Sequence, residues 1–283
     1  MERVVSINGR LLPENQGALP VLDRGLLYGY GLFETMAVFA GQAFLMDAHL
    51  VRLYSSANRL GLEVPYKPGE LTAMISKVAE ANMVQEGYLR VTLTAGSQPP
   101  GPVLPGAVII QARGGIPYTG EQYNRGLAAG FSSVRRNETS PLAGLKTLNY
   151  LDNLLAREDA GKKGWGEGLL LNTRGCLAEG TASNVFLVSG GRLITPDPAS
   201  GILPGITRQV VIQLALDSGL EVAERPVNPV ELEGAGEAFL TNSLMGVMPL
   251  TMVSGKPVGR GVPGPVTAML AARYREHIEL VHI

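Results

Sequence analysis

The chain has 283 residues, of which 45% are apolar and 17% charged, and its formal net charge is -1. This length favours two domains that share a cleft, and the near-neutral charge offers no basic surface for nucleic acid. No apolar run reaches the length of a membrane span and the first residues lack a signal-peptide core, so we expect a cytoplasmic protein with no membrane partner. The single cysteine, Cys176, excludes an internal disulfide, and three scattered histidines predict no metal site.

The first part of the chain predicts a small α/β domain over residues 1–115. It opens with a hairpin around Asn8-Gly9, a dipeptide suited to a type I′ turn, and a second hairpin follows a glycine- and tyrosine-rich stretch. Asp47 is the expected cap of the next helix, whose apolar stripe leaves Arg52 at its side. The remaining elements are a helix over 70–82 and strands over 87–94 and 107–112. A break in the pattern at 113–117 predicts the domain boundary.

Residues 116–283 predict a larger C-terminal α/β domain that carries Lys146. Leucines and Ala156 recur at helical spacing from Leu151 onwards, which predicts a helix over 151–161. A further helix is predicted from Gly205 to Ser218. The predicted strands cover residues 128–134, 168–172, 185–188 and 193–195.

Lys146 is expected on the strand or turn that leads into the helix at Leu151. Most lysines are solvated surface charges. Here small and apolar residues precede the lysine and Tyr150 follows it, and an amine in an apolar site is easier to deprotonate. A neutral amine attacks carbonyl groups, so Lys146 is a candidate nucleophile.

Two other segments carry groups that complement such a lysine. Gly205-Ile206-Thr207 stands at a predicted helix start, where unpaired backbone amides attract an anion such as phosphate. The alternative is an ordinary cap made by the Thr207 hydroxyl. Glu179 is a carboxylate among small residues, which allows close approach of another molecule, although a solvated turn residue is the alternative. An amine, a carboxylate, an arginine and an anion site together are what pyridoxal 5′-phosphate requires.

These segments resemble the fold type IV pyridoxal phosphate enzymes over residues 4–275. This class IV aminotransferase family includes branched-chain aminotransferases, D-amino-acid aminotransferases and 4-amino-4-deoxychorismate lyases. The resemblance implies a two-domain α/β (α+β) fold, similar to D-amino-acid aminotransferase, with the cofactor between the domains. It also implies a homodimer that acts on a small, amino-acid-like substrate.

The resemblance implies a role for each matched residue. Lys146 corresponds to the Schiff-base lysine and proton carrier, and Glu179 to the partner of the pyridine nitrogen. Arg52 and the Ile206 and Thr207 amides correspond to phosphate ligands. Tyr150 is expected near the phenolic oxygen, Leu203 against the ring and Tyr28 in the substrate pocket. The other implied cofactor contacts are Ser183, Asn184, Gly205, Asn242, Ser243 and Leu244.

The motif over Thr241–Pro249 most resembles the lyases, so the expected activity is release of p-aminobenzoate and pyruvate from 4-amino-4-deoxychorismate. The alternative is an aminotransferase for branched-chain L-amino acids, or D-amino acids, with 2-oxoglutarate. Ala37 and Ala95 stand where those aminotransferases carry an arginine. Arg90 and Arg136 are therefore the candidates for binding a substrate carboxylate. A third alternative is a noncatalytic binding protein that retains the scaffold.

Overall fold

The computed structural model describes residues 2–281, which fall into two units. The N-terminal unit contains the chain up to Pro117 and the segment Leu145–Tyr150, and the C-terminal unit contains Tyr118–Gly144 and Leu151–Leu280. The expected assignment of Lys146 to the C-terminal domain differs from this division. The segment belongs to the N-terminal unit because its backbone bonds to a strand there: Phe33 N–H donates to Lys146 O at 2.9 Å.

The N-terminal unit is built on a six-stranded antiparallel sheet with the strand order β2-β1-β6-β5-β3-β4. The first hairpin is confirmed, because Asn8 and Gly9 have the positive φ angles, 49° and 79°, that a type I′ turn requires. The strands are β1 (Val4–Ile7), β2 (Arg10–Pro13), β3 (Gly31–Phe39), β4 (Gln42–Ala43), β5 (Gly87–Thr94) and β6 (Val108–Gly114).

Helices α1 (Arg24–Tyr28), α2 (Met46–Arg59) and α3 (Pro68–Ala81) complete this unit. The apolar stripe predicted for α2 is confirmed, since Leu50 and Leu53 are buried in one core with residues of α3, β3, β5 and β6. The predicted cap is wrong. Leu45, in the left-handed conformation, is the N-cap residue, and Asp47 lies in the first turn, where a carboxylate complements the helix dipole instead.

The C-terminal unit contains a nine-stranded sheet with the order β12-β11-β10-β13-β14-β7-β8-β9, and β15 pairs with β14. The strands are β7 (Leu127–Arg136), β8 (Glu167–Asn172), β9 (Leu177–Gly180), β10 (Asn184–Ser189), β11 (Arg192–Thr195), β12 (Glu221–Glu224), β13 (Glu237–Asn242), β14 (Gly246–Val253) and β15 (Lys256–Pro257). The helices are α4 (Gly120–Arg125), α5 (Leu151–Lys162), α6 (Ile206–Asp217), α7 (Pro229–Glu233) and α8 (Pro265–Val281). Among residues 2–281, no helix has both the length and the apolar character that crossing a membrane requires.

Helix α5 has the predicted position, but the leucines whose spacing predicts it do not face the core. Leu151, Leu154 and Leu155 are exposed, whereas Ala156 and Ala160 are buried. The small residues face inward because the helix lies close to β8: a Cβ placed at Gly168 would lie 3.1 Å from Ala156 O and 3.5 Å from Ala160 Cβ. A leucine facing the strand would not fit in that space.

Candidate active site

Lys146 is held in the N-terminal unit by backbone pairing with β3. Besides the bond from Phe33, Leu148 N–H donates to Gly31 O at 3.0 Å, and Leu32 and Thr147 form an isolated β-bridge. The Lys146 amine lies 4.3 Å from the centroid of the Phe33 ring. Tyr150 meets the same ring edge-on at 5.4 Å. The strand therefore fixes the lysine backbone and also supplies the apolar surface beneath its amine.

Arg90, on β5, lies against the same aromatic ring. Its Cζ is 3.9 Å from the Phe33 centroid, and its Nε donates a long bond of 3.5 Å to Thr92 Oγ1. Burial lowers the pKa of Arg90, while the nearby Tyr150 and Tyr88 act in the opposite direction. Tyr28, at the end of α1, is exposed. The N-terminal unit thus brings Lys146, Tyr150 and Arg90 together around Phe33.

Arg52 is paired with a buried carboxylate that sequence analysis did not identify. Its Nε donates to Glu34 Oε1 at 2.8 Å and its Nη2 donates to Glu34 Oε2 at 2.7 Å. His49 Nδ1 also lies 2.7 Å from Glu34 Oε2. Burial raises the pKa of Glu34, but hydrogen bonds from Arg52 and His49 outweigh this effect and lower it to about 2. Burial lowers the pKa of His49 despite the opposing effect of Glu34.

Glu179 is buried on β9 in the C-terminal unit, and so is not a solvated turn residue. Its Oε2 accepts the Leu203 N–H at 2.8 Å, and its Oε1 accepts a bond from Arg136 Nη2. Arg136 Nε is buried and has no hydrogen-bond partner among the described residues. A buried carboxylate in this setting is suited to hold a protonated ring nitrogen.

The start of helix α6 is available to an anion. Gly205 is the N-cap residue and, among the residues that the structure describes, no side-chain hydrogen bond caps the helix, so the alternative of a Thr207 cap is wrong. Thr207 Oγ1 instead lies 3.3 Å from Tyr274 OH. A Cβ at Gly205 would overlap Asn184 Oδ1, and Asn184 Nδ2 donates to Leu203 O at 2.9 Å. Asn184 thus fixes the backbone leading into the helix, whose first amides are directed away from its body.

Asn242 shapes the turn between β13 and β14. Its Oδ1 accepts the N–H groups of Leu244 and Met245 at 2.9 and 2.8 Å, and its Nδ2 donates to Ala182 O at 3.0 Å. Ser243 and Leu244 are half-buried in this turn. Ser183 is buried, and its hydroxyl donates to Glu167 Oε2 at 2.8 Å.

The buried acid Glu34 and its partners His49 and Arg52 each leave a signal in the sequence. Glu34 is the one charged residue within the otherwise mainly apolar strand β3, and a buried acid requires a partner. His49 and Arg52 are three residues apart on α2, a spacing that places both on one helix face. By contrast, Tyr274 is separated from Thr207 by 67 residues, and no local pattern indicates that contact.

The donor set fits pyridoxal phosphate. Lys146 of the N-terminal unit offers an amine. In the C-terminal unit, Glu179 offers a buried carboxylate, and α6 begins at Gly205, whose lack of a side chain allows the close approach of Asn184. These are the groups needed for an aldehyde, a pyridine nitrogen and a phosphate.

Comparison with known proteins agrees with this assignment. The family model for amino-transferase class IV matches residues 31–253. A putative branched-chain-amino-acid aminotransferase of Methanocaldococcus jannaschii is 32% identical, over 96% of this chain and 95% of the relative. The aminodeoxychorismate lyase of Bacillus subtilis is also 32% identical, over 99% and 96% of the two chains.

A solved structure has the same fold. The branched-chain amino acid aminotransferase of Thermobaculum terrenum, crystallised in its pyridoxal phosphate form, has a TM-score of 0.87 and 30% identity. The match covers 98% of this chain and 94% of that chain. The chain therefore belongs to the class IV aminotransferase family and is a pyridoxal phosphate enzyme of fold type IV.

Proposed function

We propose that the chain is a 4-amino-4-deoxychorismate lyase, which releases p-aminobenzoate and pyruvate. The observation that carries this proposal is the Asn242 turn. Its side chain accepts the N–H groups of Leu244 and Met245, which follow Ser243, and donates to Ala182 O. The segment that follows, through Pro249, has the sequence most similar to the lyases. The similarity to the Bacillus subtilis lyase over nearly the whole chain supports the same activity.

The residues have distinct proposed tasks in this reaction. Lys146 would hold the cofactor covalently in the resting enzyme. Once the substrate amine has replaced it there, its free amine would remove the proton from the substrate carbon that bears the amino group and deliver it to the enolpyruvyl group, which departs as pyruvate when its C–O bond to the ring breaks. Bound pyridoxal phosphate supplies an electron-withdrawing ring that stabilises the charge left by that proton. Glu179 holds the ring nitrogen. Leu203 lies against the ring and Tyr150 beside its phenolic oxygen.

The phosphate is proposed to bind Arg52, the Ile206 and Thr207 amides, and the turn of Asn242, Ser243 and Leu244. Gly205 and Asn184 shape the backbone before these amides, and Ser183 supports the same loop through Glu167. Burial raises the pKa of Tyr274 to about 12, so its hydroxyl stays protonated beside Thr207.

Arg90 is our candidate for binding a substrate carboxylate. Its guanidinium shares the Phe33 ring with the Lys146 amine, and in the described residues it forms no ion pair with a carboxylate. Arg136, the other candidate, is engaged with Glu179. Tyr28 is proposed to line the substrate pocket.

We also propose that the chain forms a homodimer. Large apolar residues are exposed around α1, namely Val21, Leu26 and Tyr28, and on α5, namely Leu151, Leu154 and Leu155. Contiguous exposed apolar side chains are typical of surfaces that bind another protein. A second copy of the chain is the occupant that the family resemblance implies.

The test is an assay of the purified protein loaded with pyridoxal phosphate. With 4-amino-4-deoxychorismate and no added keto acid, we expect p-aminobenzoate and pyruvate in equal amounts. Absence of both products from a protein that binds the cofactor would refute the lyase proposal.

The second candidate is a branched-chain aminotransferase, favoured by the Methanocaldococcus relative and the Thermobaculum structure. It predicts glutamate formation from 2-oxoglutarate that depends on a branched-chain L-amino acid donor. The same assay with D-amino acids as donors tests the alternative of a D-amino-acid aminotransferase. Donor-dependent glutamate without p-aminobenzoate formation would favour this alternative.

A further inference from the structure

Glu34, His49 and Arg52 form a buried charged cluster between β3 and α2. Glu34 and His49 are only 1% and 2% exposed, and the Arg52 side chain is 13% exposed. Both carboxylate oxygens of Glu34 accept from the Nε and Nη2 edge of Arg52. This two-point contact restricts both the position and the plane of the guanidinium, which a single bond would not do.

The cluster is connected to the reactive lysine through β3. Phe33, the residue before Glu34, bonds through its amide to Lys146 O and carries the ring beneath the Lys146 amine. The charge of Lys146 also contributes to lowering the pKa of His49. Strand β3 thus positions Lys146 through Phe33 and holds Arg52 through Glu34.

We propose that Glu34 is a positioning residue that orients Arg52 toward the cofactor phosphate, with His49 fixing the second oxygen of the carboxylate. This inference rests on the proposed role of Arg52 as a phosphate ligand. A flexible arginine loses conformational freedom when it binds an anion, and a guanidinium already held by Glu34 loses less. The contribution of Glu34 therefore depends on the phosphate and not on the pyridine ring.

The experiment compares two ligands that differ only by the phosphate. Apoprotein is titrated with pyridoxal phosphate and with pyridoxal, and binding is followed by absorbance. For Glu34→Gln, we expect the Kd of pyridoxal phosphate to rise by about 10- to 100-fold, corresponding to one charged hydrogen bond, and that of pyridoxal to change by less than about twofold. Glu34→Asp, which keeps the charge, should recover part of the loss and replaces Glu34→Gln if that variant does not fold.

Glu237→Gln is the matched control. Glu237 accepts from Val266 N, Thr267 N and Thr267 Oγ1 at the start of α8, so its replacement should lower the melting temperature without changing the ratio of the two Kd values. In Glu34→Gln, equal weakening of both ligands, or no weakening, would overturn the inference. A double variant with Arg52→Gln should bind pyridoxal phosphate as weakly as Arg52→Gln alone, and full additivity would also overturn it.

The variant Arg52→Gln distinguishes a failure of the positioning role of Glu34 from a failure of the proposed phosphate binding by Arg52. If Arg52→Gln selectively weakens pyridoxal phosphate and Glu34→Gln does not, Arg52 binds the phosphate and only the positioning role of Glu34 is wrong. If Arg52→Gln weakens both ligands equally, the phosphate role of Arg52 is wrong, and the inference falls with it.

Discussion

The Phe33 ring brings two cationic side chains to one place, with Arg90 and Lys146 at 3.9 and 4.3 Å from its centroid. A cation over an aromatic ring gains about 0.5–2 kcal/mol, depending on its exposure. The ring can therefore hold the Arg90 guanidinium, which forms no ion pair with a carboxylate among the described residues. A carboxylate partner would compete with a negatively charged substrate. This arrangement places a candidate anion-binding group beside the proposed proton carrier.

Lys146→Ala should abolish lyase or transaminase activity, because Lys146 is proposed to be both the covalent anchor and the proton carrier. The absorption band of the bound cofactor near the visible edge should shift or disappear while the circular dichroism spectrum persists. Lys256→Ala, at an exposed lysine, is the control and should leave both readouts unchanged. Unchanged colour and activity in Lys146→Ala would contradict the assignment of the lysine.

Arg90→Gln should raise the KM for 4-amino-4-deoxychorismate by about 10- to 100-fold, because one charged hydrogen bond to a carboxylate is lost. The Kd of pyridoxal phosphate should stay the same. Arg59→Gln, at an exposed position on α2, is the matched control. An unchanged KM would exclude Arg90 as the carboxylate ligand.

The Glu34 cluster predicts that stability falls with decreasing pH. The pKa of His49 is lowered from 6.5, so below that pH the unfolded chain binds a proton that the folded chain does not. The pKa of Glu34 is about 2 instead of 4.5, so its contribution is present above 4.5 and is lost as the pH falls toward 2. The lowered pKa of Glu34 contributes about 3 kcal/mol to the free energy of unfolding at pH values well above 4.5.

Urea unfolding between pH 7.5 and 3 would measure this dependence as the free energy of unfolding. Glu34→Gln should be less stable at neutral pH, because Arg52 loses its charged partner, and its stability should fall less steeply below pH 4.5. Parallel profiles for the two proteins below pH 4.5 would refute the prediction.

At the scale of elements, an asparagine side chain fixes the backbone at the start of helix α6 and in the turn after β13. Gly205 has no side chain to cap α6, and Asn184 occupies the space where a Cβ would stand. Asn242 similarly uses its side chain to close the β13–β14 turn. At α6 the fixed backbone means that the proposed phosphate-binding amides would need little reorganisation to bind an anion.

Gly205→Ala should lower the free energy of unfolding by about 1–3 kcal/mol, because the new Cβ displaces Asn184 and weakens its bond to Leu203. The affinity for pyridoxal phosphate should fall more than the affinity for pyridoxal. Gly69→Ala, in the first turn of α3 where a Cβ meets no atom within 4 Å, should be neutral or slightly stabilising. Equal changes in the free energy of unfolding and in cofactor affinity for the two variants would contradict the close approach of Gly205 and Asn184.

At the scale of the whole molecule, each unit exposes apolar side chains that its own core does not cover. On α5 the small Ala156 and Ala160 face the sheet and three leucines face outward. Burying a leucine side chain contributes about 1.5–3 kcal/mol. Burial of this face in a dimer would therefore be favourable, which supports the proposal that the leucines lie in a subunit interface.

Leu151→Glu combined with Leu155→Glu should shift the protein from dimer to monomer in sedimentation velocity, because two charges would be buried without partners. Wild type is expected to sediment at twice the chain mass of 30.0 kDa. Val230→Glu, at a position on α7 that is 70% exposed, should leave the dimer intact. A monomeric wild type, or a dimeric double variant, would refute the interface.

The predictable features depend on residues close together in the chain. The Asn8-Gly9 hairpin, the α2 stripe and the α6 start follow from turn chemistry and periodicity, which act over a few residues. The motifs around Lys146, Glu179 and Thr241–Pro249 were sufficient to predict the family, the fold and the cofactor.

The remaining features depend on contacts between distant residues. Glu34 lies 18 residues from Arg52, and Arg136 lies 43 residues from Glu179, so no local pattern predicts either ion pair. Periodicity predicted helix α5 but not its buried face, because the close approach of β8 admits alanine and excludes leucine. The position of Lys146 also depends on a distant contact. The motif around Lys146 predicts its chemistry, but its place beside Phe33 arises from backbone pairing with β3, a strand far earlier in the chain.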